Sequence, residues 1–533
     1  MTGGPRLRPV GERTFLAEYS ADINPAISGQ VRALATAVAG RPDVAETVPG
    51  FHSLLIILGA GADRSRFIRE VSHTLETPRA TPSTGRLITV PVVYGGPNGP
   101  DLAAVARRTG RREEEVIRLH SGSEYLVYMV GFAPGFPYLG VLPAGLHLPR
   151  RETPRTRVPP GSVAIADRLT GIYPQETPGG WHLIGWTPLR LFDPATDPPA
   201  LCEPGDRVRF ERHDPATTAM SPDGAKVTPA GAAISPSRPV LAVREPGLLA
   251  TVQDGGRRGY RRLGVPWSGP MDPQQHALAN HRTGNGPDEA ALEMTWPAPM
   301  METLGEIVCA VAGAGWQALV DGRPADPEAP LELRPRQALE FRRSGNAVWA
   351  YLAVGGGIDV PSVLGSRSTY LRGGFGGMGG RALRAGDVLG RREVAHRPRR
   401  LPSPVSSPQD PLVVRVIPGP QEAHFTEEGF RRLSHEVYTV TPQIDRTGYR
   451  LSGPVIPHAA PPEILPEGVL PGAVQVPGDG QPIVLMTDGP TSGGYPKIAT
   501  VVGADLPGLA QAAPGTRVRF RAVTVADLAR EET

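Results

Sequence analysis

Cysteine is almost missing from this chain. Cys202 and Cys309 are the only two in 533 residues, and no Cys-x-x-Cys pair or histidine cluster accompanies them. That excludes a disulfide framework and a thiolate metal site, and a reduced protein without a bound metal follows. Cys309 lies within the apolar run Ile307-Val-Cys-Ala-Val311 and Cys202 close to Pro204-Gly205, so neither is placed as a nucleophile. Long hydrophobic runs are missing too. None approaches bilayer length, and the N-terminus lacks the charged-then-apolar pattern of a secretion signal, so the expectation is a cytoplasmic protein that is not in a membrane. An excess of one charge sign is also lacking. The 56 Lys plus Arg against 53 Asp plus Glu leave +3, with no basic block interleaved with aromatics, which argues against nucleic acid.

Several chemical signatures are absent as well. No GxxxxGK[ST] phosphate loop, kinase-type lysine strand, GxSxG elbow or Ser-Ser-Lys amidase pattern occurs, and no Met-Lys-Met biotin attachment site. The chain therefore carries no covalent biotin and no standard ATP fold. Lysine itself is scarce: only Lys226 and Lys497 occur among the basic residues. Lys226 falls in a Pro/Ala-rich stretch and is incidental. Lys497 ends the glycine-rich turn Thr491-Ser-Gly-Gly-Tyr-Pro-Lys497, where a compact ammonium offers what arginine's planar fork cannot.

What the chain does have is glycine and proline, 65 and 61 residues without a collagen period, which predicts many short strands joined by stiff turns. Its length predicts three or four domains. Phe15 to Ser20 alternates as a strand, and Asn24-Pro25 caps a helix with Ile27, Val31, Leu34 and Val38 on one face. Val44–Val48 and Phe51–Leu58 follow as strands, Asp63 starts a second helix, and Leu87–Val93 closes the pattern. That order, βαββαβ, is the ferredoxin-like split unit. Asp101 caps a short helix, and another runs from Arg112 to about Leu119. From Tyr125 onward short strands and glycine corners predict a closed or sandwich β structure. Residues 213–239 break every period and read as a flexible linker, and 395–411 is a second break. Between the two, the convincing helix is 273–283. No repeat between the halves is evident.

Four stretches present polar or aromatic groups on stiff turns. Val130-Gly-Phe-Ala-Pro-Gly-Phe-Pro-Tyr-Leu-Gly140 displays Phe132, Phe136 and Tyr138 beside fixed or permissive backbone. Pro154-Arg-Thr-Arg157-Val-Pro-Pro-Gly-Ser162 sets arginines ahead of a rigid turn. Thr170-Gly-Ile-Tyr173 and Pro178-Gly-Gly180-Trp181 combine a glycine pair that can bind anions with a ring that can stack. Thr251-Val-Gln253-Asp254-Gly-Gly-Arg257-Arg-Gly-Tyr260, continuing to Ser268, Met271 and Asp272, supplies amide, acid and base groups. Asp272 with Pro273 also reads as a helix N-cap, ahead of His276 and Asn280 on one face.

These motifs resemble, over nearly the whole chain, the allophanate hydrolase subunit 1 and subunit 2 family. That family includes the B and C subunits of ATP-dependent 5-oxoprolinase, the carboxyltransferase region of urea carboxylase, and proteins first described as an inhibitor and an antagonist of a sporulation kinase. The resemblance implies a mostly β, α+β fold with cyclophilin-like barrels in both halves. The divisions expected are 1–95 (ferredoxin-like), 96–212 (barrel), 213–239 (linker), 240–400 (β-rich) and 412–533 (β-rich, cyclophilin-like), as two subunits fused. It implies hydrolysis of 5-oxo-L-proline to L-glutamate together with a separate A-type (LamB/YcsF-like) protein, with ATP and Mg²⁺ in the assembled system and a homo-oligomer possible. The alternatives are a biotin-dependent carboxyltransferase acting on urea or a related amide, and a non-enzymatic kinase inhibitor.

Lys497, Arg157 and Asp254 are taken as the catalytic candidates. The substrate-binding set is Phe132, Phe136, Tyr138, His120, Tyr173, Gly180, Trp181, Gln253, Arg257, Tyr260, Ser268, Met271, Asn280, Gly494 and Tyr495. Glu293, Asp445-Arg446 and Arg450 also match family motifs. Trp186 stands where the family usually has arginine, and Asp167 where it usually has glycine. Because Lys497 and Arg157 lie on Gly/Pro turns, their replacement is expected to cost little stability.

Overall fold

Two closed seven-stranded barrels, one in each half, organise the protein. The structure is a computed structural model that describes residues 5–76, 85–214, 236–393, 398–402 and 410–531. Lys226 and most of the 213–239 and 395–411 stretches lie outside those residues.

The chain begins with a four-stranded antiparallel sheet in the order Arg6–Gly11, Thr14–Glu18, Ser53–Leu58, Val44–Pro49. Helices Pro25–Ala39 and Arg64–Glu76 bury Val31, Leu34, Val38, Phe67 and Val71 against it. Asn24 caps the first helix through the Ala26 amide, as its sequence predicts. The ferredoxin-like closure is corrected. Leu87–Tyr94 does not return to this sheet but enters the first barrel, and the hairpin strand Arg6–Gly11 lies beside Thr14–Glu18 instead. Leu87 to Val93 alternates no differently from a sheet-closing strand, so pattern alone does not assign its partner.

The first barrel runs Leu169–Ile172, Pro137–Gly140, Glu124–Val130, Arg207–Arg212, Leu87–Tyr94, His182–Trp186, Ser162–Ala166. The second runs Leu412–Pro418, Lys497–Val501, Ala473–Gln475, Ile483–Leu485, Gly448–Ser452, Val437–Ile444, Arg517–Ala522. In each, the first and last strands of the barrel pair in parallel. The closing strands also share sequence: Pro204-Gly-Asp-Arg-Val-Arg-Phe210 and Pro514-Gly-Thr-Arg-Val-Arg-Phe520. Val and Phe point inward in both, and Gly205 and Gly515 both take a left-handed turn, at φ 101 and 91. The expectation of no repeat between the halves is corrected by this pair of segments, which is a sequence trace of the duplicated barrel too short to stand out before the strands are placed.

Between the barrels, a six-stranded and a five-stranded sheet share one core. Leu241, Val243, Leu339 and Phe341 of one pack with Val252, Leu292, Cys309 and Leu352 of the other. Helix Pro273–Thr283 covers the strands Ile307–Ala312 and Ala350–Val354. Asp272 caps it through the Gln274 and Gln275 amides, and Gly284 ends it in a left-handed conformation. Asp101, in contrast, does not cap its helix. Its carboxylate takes a bidentate pair from Arg155, a bond from Arg151 and the Leu183 amide, tying the barrel to the 151–155 segment. Among the described residues no helix is long and apolar enough to cross a membrane.

Candidate active site at the seam between the halves

The Thr491–Lys497 turn of the second half meets elements of the first half on two sides. Ser492 and Gly493 form a two-stranded ribbon with Glu467 and Gly468. That ribbon packs on the N-terminal sheet, where a side chain at Gly468 would meet Leu55 at 2.7 Å. Lys497 begins a barrel strand, and its Nζ reaches Glu467 Oε1 at 2.5 Å. Both side chains are almost fully enclosed. The Gln421 amide donates to the same Glu467 oxygen at 2.7 Å, while its Oε1 accepts the Lys497 backbone N–H at 3.2 Å. From the first half, Ser53 Oγ donates to Glu467 Oε2 at 3.4 Å.

His52 and Glu18 of the N-terminal sheet share this field. Burial lowers the His52 pKa, with Glu467 opposing and Lys497 adding to the fall, so the imidazole is neutral near pH 7. Burial raises the Glu18 pKa, Glu467 raises it further, and Arg8 and Lys497 pull it back. His52 Nδ1, Gln475 Nε2 and Thr491 Oγ1 are buried with no hydrogen-bond partner among the described residues. Gln475 pairs with Lys497 on the neighbouring barrel strand, and its amide lies against Gly493. A lysine–carboxylate pair beside open donors is an arrangement that can hold a small polar molecule.

On the other side, the aromatic loop of the first half is gripped by the second. Leu263 bridges Val130, and its carbonyl accepts the Gly135 N–H at 2.9 Å. The Phe132 N–H donates to Ser492 Oγ at 2.9 Å. Phe136, Tyr138, Tyr173 and Trp181 are buried behind this loop, with ring centroids 5.0 to 6.0 Å apart and mostly edge-on. Phe132 and Tyr495, each 39% exposed, are the aromatics that reach solvent here.

The structure thus brings Lys497, Phe132, Phe136, Tyr138, Tyr173, Trp181, Gly494 and Tyr495 to one seam. The remaining predicted residues are placed otherwise. His120 is corrected to a core residue of the first barrel. It is fully buried on Phe210, with Tyr94 at one ring nitrogen and Thr170 at the other, and burial drives its pKa down to about 3. Asp254 is a filled anchor whose oxygens accept from Ser366, Ser368, the Gly256 amide and the Arg367 amide. Gln253, Met271 and Asn280 are fully enclosed: Gln253 donates to Thr251 and Thr369, Met271 lies in the second-barrel core, and Asn280 donates to the Glu289 carbonyl. Arg257 is buried over Phe375 and donates to two backbone carbonyls, and Tyr260 packs near it. Ser268 takes a left-handed turn at φ 54.

Arg157 is mostly exposed on a two-stranded ribbon that includes Gly179, paired with Glu176, and Gly180 is half-buried beside Pro154. The stability expectation for Lys497 is also corrected, because it lies inside a buried pair rather than on an open turn. Sequence reading missed Glu467, His52, Ser53, Gln421, Gln475 and Ser492. Only Ser492 stood in a singled-out turn, and none of the others carries a local motif.

A second buried charge network locks the sandwich to the second barrel. Arg446 bonds Glu293, reaches Asp488 at 2.8 Å and donates to the Gly269 carbonyl at 2.7 Å. Glu293 also takes the Tyr351 hydroxyl and the Met271 amide. Asp445 and Arg450, by contrast, are exposed. Trp186, the departure from the family arginine, is buried and donates to the Pro160 carbonyl at 2.9 Å. Asp167 sits at φ 53, which explains why glycine is usual there. Both thiols are buried, and burial pushes each up to about 12, so neither ionises near neutral pH.

Two barrels, one in each half, with hydrogen bonds from the first half reaching the buried Lys497–Glu467 pair of the second, make a two-part chain of the carboxyltransferase type. The chain belongs to the carboxyltransferase-domain family: residues 5–202 match the model for its subdomain C and D, and residues 263–522 that for its subdomain A and B. It is 46% identical to the B subunit of 5-oxoprolinase from Escherichia coli O157:H7 over 202 residues, 38% of this chain and 93% of that protein. It is 37% identical to the C subunit of 5-oxoprolinase from Escherichia coli (strain K12) over 284 residues, 53% of this chain and 90% of that protein. Urea amidolyase of Lachancea kluyveri is 34% identical over 304 residues, 52% of this chain but 16% of that protein. The crystal structure of TTHA0988 superposes with a TM-score of 0.84 at 37% identity, covering 95% of this chain and 99% of that chain.

Proposed function

We propose that this chain is the fused B-and-C component of an ATP-dependent system that opens the lactam of 5-oxo-L-proline to L-glutamate, completed by a separate A-type protein. The observation that carries the reading is one of extent. The chain matches nearly all of a 5-oxoprolinase B subunit and nearly all of a C subunit, yet only about a sixth of a urea amidolyase. The seam supports it, because Ser53 and His52 come from the first half and Lys497, Glu467, Gln421 and Gln475 from the second.

Ring opening adds water across the amide. The carbonyl carbon gains the hydroxyl, the C–N bond breaks and the nitrogen gains a proton. An unstrained lactam resists this, which is why activation by ATP is required. Among the described residues no three His, Cys, Asp or Glu side chains converge to hold a metal ion. The chain's own contribution is binding and orientation. The Lys497 ammonium, held by Glu467, faces a carbonyl or carboxylate oxygen, Gln475 donates a further hydrogen bond, and the buried setting strengthens both.

The matching family models favour one second reading, biotin-dependent carboxyl transfer to an amide. Reconstitution separates the two. The purified chain alone is expected not to turn over 5-oxo-L-proline with ATP and Mg²⁺, and addition of the A-type protein of the same genome to release glutamate and ADP together. Turnover by the single chain would remove the partner requirement. A silent mixture, alongside carboxyl transfer from carboxybiotin to urea, would establish the second reading.

A further inference from the structure

Phe132 is the one residue of the aromatic loop whose backbone and side chain both run against the ordinary rules. Its φ is 67, in the left-handed region, where a bulky aromatic is strained. It is 39% exposed, while Gly131 and Ala133 beside it, and Phe136 behind it, are buried. The strain is held from the other half of the chain, since the Phe132 N–H donates to Ser492 Oγ at 2.9 Å. The fit is close. A Cβ at Gly131 would lie 2.2 Å from that same oxygen, so only glycine admits the serine. Leu263, also from the second half, fixes the loop at Val130 and Gly135. The Phe132 ring makes T-shaped contacts with Phe136 at 5.4 Å and Tyr173 at 6.4 Å, and more than a third of the residue is still open to solvent. Tyr495, equally exposed, follows Ser492 by three residues in the turn that delivers Lys497.

We infer that Phe132 is a substrate-contact residue whose ring face stacks on a small planar amide ring, and that Ser492 is the positioning residue that holds it there. This rests on the cyclic-amide reading above and deepens it. A planar lactam offers a flat face to an aromatic ring, and a preset ring loses little freedom on binding. Residues from both halves then set one recognition surface, so recognition depends on the seam being closed.

The test is calorimetric titration of the full chain with 5-oxo-L-proline, together with melting curves. Phe132→Ala and Phe132→Gly are expected to weaken binding about tenfold, the size of one stacking contact. Phe132→Tyr is expected to restore it. Phe132→Gly is expected to leave the melting temperature unchanged or higher, because glycine accepts φ 67 without strain. Ser492→Ala is expected to weaken binding in the natural chain but not in the Phe132→Ala background, the signature of a residue acting through another. Undiminished binding by Phe132→Ala, or a lowered melting temperature in Phe132→Gly, would overturn this inference and leave the substrate reading standing. No binding by the unaltered chain, with or without the A-type protein, would sink the substrate reading itself, and this inference with it.

Discussion

Lys497→Met is expected to lower the unfolding free energy by about 3–5 kcal/mol, the usual cost of stranding one partner of a buried ion pair. Glu467 would keep its Gln421 and Ser53 bonds but lose its counter-charge in a setting that excludes water. Replacing both partners, Lys497→Met with Glu467→Gln, should recover more than half of the loss, since a neutral pair leaves no uncompensated charge. Urea denaturation of the three chains gives the comparison. A loss under about 1 kcal/mol for Lys497→Met, the range of exposed pairs, would contradict the burial assigned to this lysine. Turnover in the reconstituted system should vanish for both variants, including the double variant whose stability is restored.

Arg446→Met should be at least as damaging, because one guanidinium serves two carboxylates and a carbonyl. Its loss leaves both Glu293 and Asp488 buried without a cation, again about 3–5 kcal/mol. Burial already raises the Glu293 pKa, and Arg446 is the main group opposing that rise. Removing it raises the folded-state pKa further. A carboxyl with a raised folded pKa favours folding only while protonated. The variant's deficit therefore widens as pH climbs from the unfolded value near 4 through the new folded value. Stability curves at pH 5 and pH 8 measure it, and a deficit independent of pH would show that Arg446 acts through packing alone.

The difference between these two predictions and the sequence-based expectation for Lys497 shows where sequence reading stops. A glycine-rich turn ending in the chain's second lysine singles out Lys497, but its burial depends on Glu467, thirty residues earlier in a stretch of prolines that gives no signal. His52 and Ser53 lie in a tight corner of a different sheet, brought to Lys497 only by the docking of one half on the other. Local rules worked where the physics is local. The Asn24 and Asp272 caps and the faces of their helices follow from spacing alone. Leu87–Tyr94 shows the limit, because a strand's alternation fixes which side faces a core but not which sheet receives it. Asp254 and Arg257 show a related limit: a glycine loop with clustered polar groups does not tell which of them are taken up inside the fold, as Asp254 is by Ser366, Ser368 and two amides, and which keep an open polar atom, as Arg257 does at Nη1.

The central claim is that the two halves form one site across a pre-formed seam, and cutting the connection between them tests it most directly. Limited proteolysis within residues 213–239 followed by size exclusion under native conditions should leave the two pieces co-eluting. The Ser53–Glu467 contact, the Ser492–Phe132 bond and the Leu263 bridge join the two pieces without that segment. Under the proposed function, the nicked protein is also expected to support 5-oxo-L-proline turnover to the same extent as the intact chain when the A-type protein is added. Separation of the pieces on the column would show that the seam does not hold without the tether, and the joint site would be lost with it.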